Sequence, residues 1–96
     1  MPAAMDTSDQ PAGSWYRVVE TAEFQRQVAR LPISQRHWDD VKEDFDEEIA
    51  RRPHRAQPIP GTALRAIPIL TLPPLIVFYA VDDDAREVIL VEVRVL

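Results

Sequence analysis

Cysteine is absent from the 96 residues, which excludes a disulfide framework, thiol catalysis and any cysteine-ligated metal. No apolar run approaches the ~20 residues that a membrane-spanning helix needs. The first segment, Met1 to Ser14, has neither a basic leading region nor an apolar stretch. It does not read as a signal peptide, and the expected location is the cytoplasm, away from any membrane. Positive charge is also in short supply, with 11 Lys and Arg against 16 Asp and Glu, a formal net charge of −5. The deficit is uneven. Residues 1–48 hold 11 acidic and 5 basic side chains, a net of −6, and residues 49–96 hold 5 acidic and 6 basic, a net of +1. A domain that grips nucleic acid usually shows a basic face, because phosphate contacts supply most of its affinity. The whole-chain charge argues against that use, and the balance of the second half leaves it open.

What remains is ordinary for one globular domain: 46% hydrophobic and 28% charged residues, enough for one modest core. Residues 1–14 are small and polar, contain Pro2, Pro11 and Gly13, and lack periodicity, so they are expected to be disordered. The domain is expected over 15–96. Trp15 to Glu20 is aromatic and β-branched and reads as a strand. Thr21 can then cap a helix, with Glu23 in its positive first turn and Phe24, Val28 and Leu31 along one side. Pro32 ends it. Ser34 is the next candidate cap, and Trp38, Val41, Phe45 and Ile49 make a second apolar stripe that closes at Pro53, with Arg51 and Arg52 where cations suit the helix dipole.

After a loop from His54 to Thr62, three strands follow: Ala63–Leu70, Leu75–Val81 and Glu87–Leu96. The middle one is apolar throughout, as a central strand covered on both faces should be. The last alternates, with Val88, Leu90, Glu92 and Arg94 expected on one face and Ile89, Val91, Val93 and Val95 on the other. The order is strand, helix, helix, strand, strand, strand. The first strand must pair across the sheet after the helices, which predicts an α+β fold: a helical hairpin packed on a mainly antiparallel four-stranded sheet.

This order, with Tyr16-Arg17-Val18-Val19, Thr21 and Phe24, then Ile49 to Pro53, Ile59-Pro60-Gly61 with Leu64-Arg65, Leu75 to Asp83, and Val88-Ile89-Leu90-Val91 with Arg94, resembles the RelE/ParE toxin superfamily of type II toxin–antitoxin modules. The resemblance implies growth inhibition, by ribosome-dependent mRNA cleavage or by inhibition of DNA gyrase, and neutralisation by a cognate antitoxin protein. It also implies a metal-independent reaction with no cofactor. In cleavage the RNA 2′-OH attacks the adjacent phosphorus, so the protein must hold the backbone, offset phosphate charge and move protons. Arginine suits the middle role because its planar fork meets two phosphate oxygens.

Arg65 and Arg94 carry over from the resemblance, and both guanidinium groups are expected on one uncovered sheet face. His54 and Tyr79 are the candidates for proton transfer. The lysines that ribosome-dependent members carry before Arg65 have no counterpart, since the chain's single lysine is Lys42 on the second helix. The alternative is a binding or regulatory module of the same fold with no enzymatic activity.

Plainer readings stand beside these. Arg65 and Arg94 can be solvated or ion-paired surface residues, His54 a surface histidine, and Tyr79 a core ring with one hydrogen bond. Glu43, Asp46 and Glu47 share a helix side and can hold a hard cation, but nothing shapes a cage, and a solvated face is the simpler reading. No metal site is expected.

Overall fold

The computed structural model describes residues 15–96; the expected disorder of residues 1–14 lies outside the described residues. The elements are β1 (Arg17–Glu20), α1 (Ala22–Val28), α2 (Gln35–Arg51), β2 (Leu64–Ile69), β3 (Leu75–Asp82) and β4 (Glu87–Val95). The strands form one sheet in the order β1-β4-β3-β2. β1 runs parallel to β4, and the pairs β3–β4 and β2–β3 are antiparallel. The parallel pair follows from connectivity: two helices and two strands intervene between β1 and β4, so no tight turn constrains their direction.

Both helices start where the sequence places a cap. Thr21 Oγ1 accepts from the Phe24 N–H at 3.1 Å, and Ser34 Oγ accepts from the His37 N–H at 3.1 Å. α1 ends at Val28, earlier than Pro32, and the chain leaves it through tight turns in which the N–H groups of Arg30 and Leu31 donate to the carbonyls of Gln27 and Val28. The core lies on one side of the sheet. Phe24, Trp38, Phe45 and Ile49 from the helices meet Ile67, Leu75, Val77, Tyr79, Val88, Leu90 and Val93 from the strands.

α1 also closes an open sheet edge. β1 pairs only with residues Glu87 to Leu90 of β4, so the rest of β4 has no neighbouring strand on that side. Thr21 Oγ1 donates to the Leu90 carbonyl at 3.0 Å, and Gln27 Oε1 accepts from the Val93 N–H at 2.7 Å. Main-chain groups that would otherwise be left exposed or unpaired are satisfied by a helix.

β2 is the other edge. Its first residues are flanked by the Ile59 N–H, which donates to the Leu64 carbonyl at 2.8 Å. The main chain of Leu64 therefore faces outward, and by the period of two so does that of Pro68, which has no N–H to offer. Proline at that place denies an incoming strand a hydrogen bond and guards the edge.

Candidate functional site

β4 contains one residue more than its partner needs. Tyr79 pairs with Leu90, but Phe78 pairs with Glu92, so a β-bulge at Val91 interrupts the register. The interruption reverses which face each later residue takes. Val88 and Leu90 are buried on the helix side, and so is Val93, whereas Glu92 and Arg94 turn to the other face. This corrects the expected alternation.

It also separates the two arginines. Arg65 pairs with Tyr79, which pairs with Leu90, so Arg65 is on the helix side. Arg94 pairs with Ile76 and rests its guanidinium 4.9 Å from the Phe78 ring centroid on the opposite face. The two are also three residues apart along β3, about 10 Å at ~3.3 Å per residue. One phosphate cannot take both guanidinium groups, and the expected meeting of Arg65 and Arg94 on an uncovered face is overturned.

Arg94 has Glu92 for company, with Nη1 to Oε2 at 3.3 Å, and is largely exposed. Its face carries Val19, Ile76, Phe78 and Ile89, all partly exposed. No helix covers that face among the described residues.

Arg65 does something different. Its Nη1 donates to the Ala56 carbonyl at 2.5 Å and toward the His54 carbonyl at 3.4 Å. Tyr79, fully buried, donates its O–H to the Pro53 carbonyl at 3.0 Å. Burial, the larger influence, pushes the Tyr79 phenol above its ordinary value against the pull of the neighbouring arginines. Both side chains clamp the loop that follows α2, and through its main chain they position His54.

His54 then meets a carboxylate from the turn between β3 and β4. His54 Nε2 lies 2.9 Å from Asp83 Oδ1, and the Tyr16 O–H donates to the same oxygen at 2.6 Å. The Tyr16 and His54 rings stand edge to face, 6.1 Å apart. The Arg86 guanidinium sits 5.5 Å from the Tyr16 ring centroid. The hydrogen bond from Tyr16 holds the Asp83 carboxyl below its ordinary value, helped by His54, and the same bond raises the Tyr16 phenol. Three of the four expected residues, Arg65, His54 and Tyr79, thus converge at one corner, and Arg94 is remote from them. Tyr16, Asp83 and Arg86 were not foreseen. The one available signal was the run Arg51-Arg52-Pro53-His54-Arg55, the densest cationic stretch of the chain.

The Tyr16–Asp83 bond makes a pH-dependent expectation. A carboxylate with a depressed folded pKa adds stability above its unfolded value, and that contribution fades as pH falls through the folded one. In Tyr16→Phe the NMR titration midpoint of Asp83 should move up toward the ordinary 3.8, and less stability should be lost on acidification below it. An unmoved midpoint would mean that His54 and Arg65, rather than Tyr16, hold the carboxyl down.

Among solved structures, this chain is similar to a chain of the toxin–antitoxin complex RelBE2 from Mycobacterium tuberculosis, with a TM-score of 0.71 and 21% sequence identity over 92% of this chain and 97% of that one. No protein-family model matches the sequence, and no curated protein matches it. At that identity the likeness is one of fold. Two helices against a four-stranded mixed sheet, in the order expected from the sequence, make this a RelE-type α+β fold.

Proposed function

We propose that this chain is the toxin of a toxin–antitoxin pair, held inactive by a cognate antitoxin that covers its uncovered sheet face, and that it arrests growth without cutting mRNA. The observation that carries the reading is the one-sided sheet. The helices fill one face, and the other offers Val19, Ile76, Phe78 and Ile89 beside the exposed cation of Arg94. Such a surface suits a partner segment with apolar side chains and a carboxylate, folding as it binds. The similar fold seen in a toxin–antitoxin complex supports a partner of this kind.

Cleavage has weaker support. The separated arginines and the absence of lysine from the stretch between Arg55 and Arg65 leave the Arg94 face with little to offset a pentacovalent phosphate. Inhibition of DNA gyrase therefore fits better than action on ribosome-bound mRNA. The Arg94–Glu92 ion pair favours a second reading, a binding module of the same fold with no toxic action.

Inducing the chain alone in a bacterium, with parallel mapping of mRNA ends and plasmid supercoiling, separates these readings. The expected result is arrested growth and altered topology, with no new ends inside translated codons. Arg94→Glu should weaken rescue by the antitoxin. Unimpaired growth would favour the binding module, and fresh cuts within codons would restore the nuclease.

A further inference from the structure

The end of the sheet away from Arg94 bears an open cleft of roughly 530 Å³, lined by Tyr16, His54 and four arginines, Arg51, Arg52, Arg55 and Arg86. Arg51 ends α2, Arg52 caps it, Arg55 follows in the loop clamped by Arg65 and Tyr79, and Arg86 comes from the turn between β3 and β4. One carboxylate, Glu48, is shared by three of them, at 3.3 Å from Arg51, 3.7 Å from Arg52 and 2.8 Å from Arg55. Arg51, Arg52 and Arg86 make further contacts as well.

We propose that this cleft binds the phosphates of a nucleotide, at least two phosphoryl groups in succession, carried by a free nucleotide or by the 5′ end of an RNA. Guanidinium groups pair with phosphate oxygens through two parallel hydrogen bonds, and several on different elements suit a chain of phosphates better than a single carboxylate. The cleft falls within the volume range of small-ligand sites. Tyr16 and His54 complete its wall, the Tyr16 ring already lying under the Arg86 guanidinium and edge to face with His54, so recognition falls on the phosphates rather than on a base. Most carboxylates of α2 lie along Asp39 to Glu47, ahead of the arginines at its end. The acidic groups with which a phosphate chain competes at the cleft are therefore Glu48, shared by three of the arginines, and Asp83, held by Tyr16 and His54.

Arg86 is the most telling member. Its φ is +56°, a left-handed conformation that strains a non-glycine residue. Its carbonyl is fixed there by the Arg17 N–H at 2.9 Å. Glycine would relieve the turn, yet the position holds a long cation over the Tyr16 ring. Arg51 and Arg52 also answer the dipole of α2, so Arg55 and Arg86, outside that helix, are the diagnostic pair.

The proposal stands apart from the toxin reading, and its test does not involve growth. The full chain is titrated calorimetrically, without divalent cations, against adenosine triphosphate, inorganic triphosphate, an RNA hexamer with a 5′-triphosphate, the same hexamer with a 5′-hydroxyl, and hexaglutamate. Arg86→Gly and Arg55→Gln are the variants. Arg86→Gly relaxes the backbone as it removes the charge, so its melting temperature should not fall, and unchanged circular dichroism certifies both folds. Saturable binding of the triphosphates, at least tenfold weaker in each variant and weakened by salt, is expected. Tighter binding of adenosine triphosphate or of the triphosphorylated hexamer identifies which source the cleft takes. Absence of saturable triphosphate binding, or binding that neither variant weakens, overturns the proposal. Hexaglutamate binding as tightly as triphosphate overturns it in favour of an acidic protein segment.

Discussion

Tyr79→Ala is expected to lower the free energy of unfolding by ~3–5 kcal/mol, the range for removing a buried aromatic ring. Tyr79 is fully buried, lies between Arg65 and Leu90 in the sheet, and is the largest of the fully buried side chains. Tyr79→Phe keeps the ring and removes only the hydrogen bond to the Pro53 carbonyl, so it should cost about 1–2 kcal/mol. Urea denaturation checks both, with an unchanged slope showing that the same surface is exposed.

The phenol adds a sign. Its folded pKa is raised above the ordinary 10.0, so its contribution is complete below that value and is lost as pH rises through the folded one. Tyr79→Phe should not show that alkaline loss. Because Arg65 clamps the same loop through Ala56 and His54, Arg65→Ala and Tyr79→Phe together should cost measurably less or more than their sum. Strict additivity would mean that the loop is not one unit.

The helices were legible because their signals are local. Thr21 and Ser34 cap where side chains of that kind can accept from the third residue onward, and Phe24, Trp38, Phe45 and Ile49 recur at helical spacing and are buried. That β1 joins the sheet across the helices was legible, because it has no short link to another strand; its parallel place beside β4 was not. Pro68 sits on an edge strand, β2, where its missing N–H is tolerated.

The site was not legible, for a reason that one residue explains. Arg94 shares parity with Val88 and Leu90, and an uninterrupted β4 would have set it on the same face as Arg65. Val91 is β-branched and apolar, as Val88, Ile89 and Val93 of the same strand are, and gives no sign of being the bulge. A shift of one residue moves every later side chain to the opposite face, so the error passed undiminished to Arg94. Asp83 and Tyr16 were missed for another reason. They are 67 positions apart, and only the parallel β1–β4 pairing brings the start of β1 beside the β3–β4 turn.

Lys42, the chain's one lysine, is expected to matter through stability. It is nearly buried where α2 crosses β1, with Nζ 2.7 Å from Glu20 Oε2 and 2.6 Å from Asp46 Oδ2. Lys42→Met fills the space but leaves two carboxylates facing each other without a cation, and should cost ~2–4 kcal/mol at neutral pH, near the range for breaking a buried ion pair. Burial already raises the Asp46 carboxyl above its ordinary value despite Lys42, and its Oδ1 has no hydrogen-bond partner among the described residues. Removing the cation removes the main opposing influence and leaves the repulsion of Glu20.

A raised carboxyl pKa makes the folded state relatively more stable below the unfolded value and less so as pH rises. The deficit of Lys42→Met should therefore be greatest at pH 7 and shrink toward pH 4, as measured by urea midpoints at both. Glu20→Gln and Asp46→Asn added to Lys42→Met should recover much of the loss at pH 7, because a neutral trio avoids the desolvated charge. A deficit equal at both pH values, unrelieved by the neutral trio, would locate the effect in the packing of the lysine stem. Lys42 would then hold α2 on β1, and with it the Tyr16 corner, through its methylene groups rather than its charge.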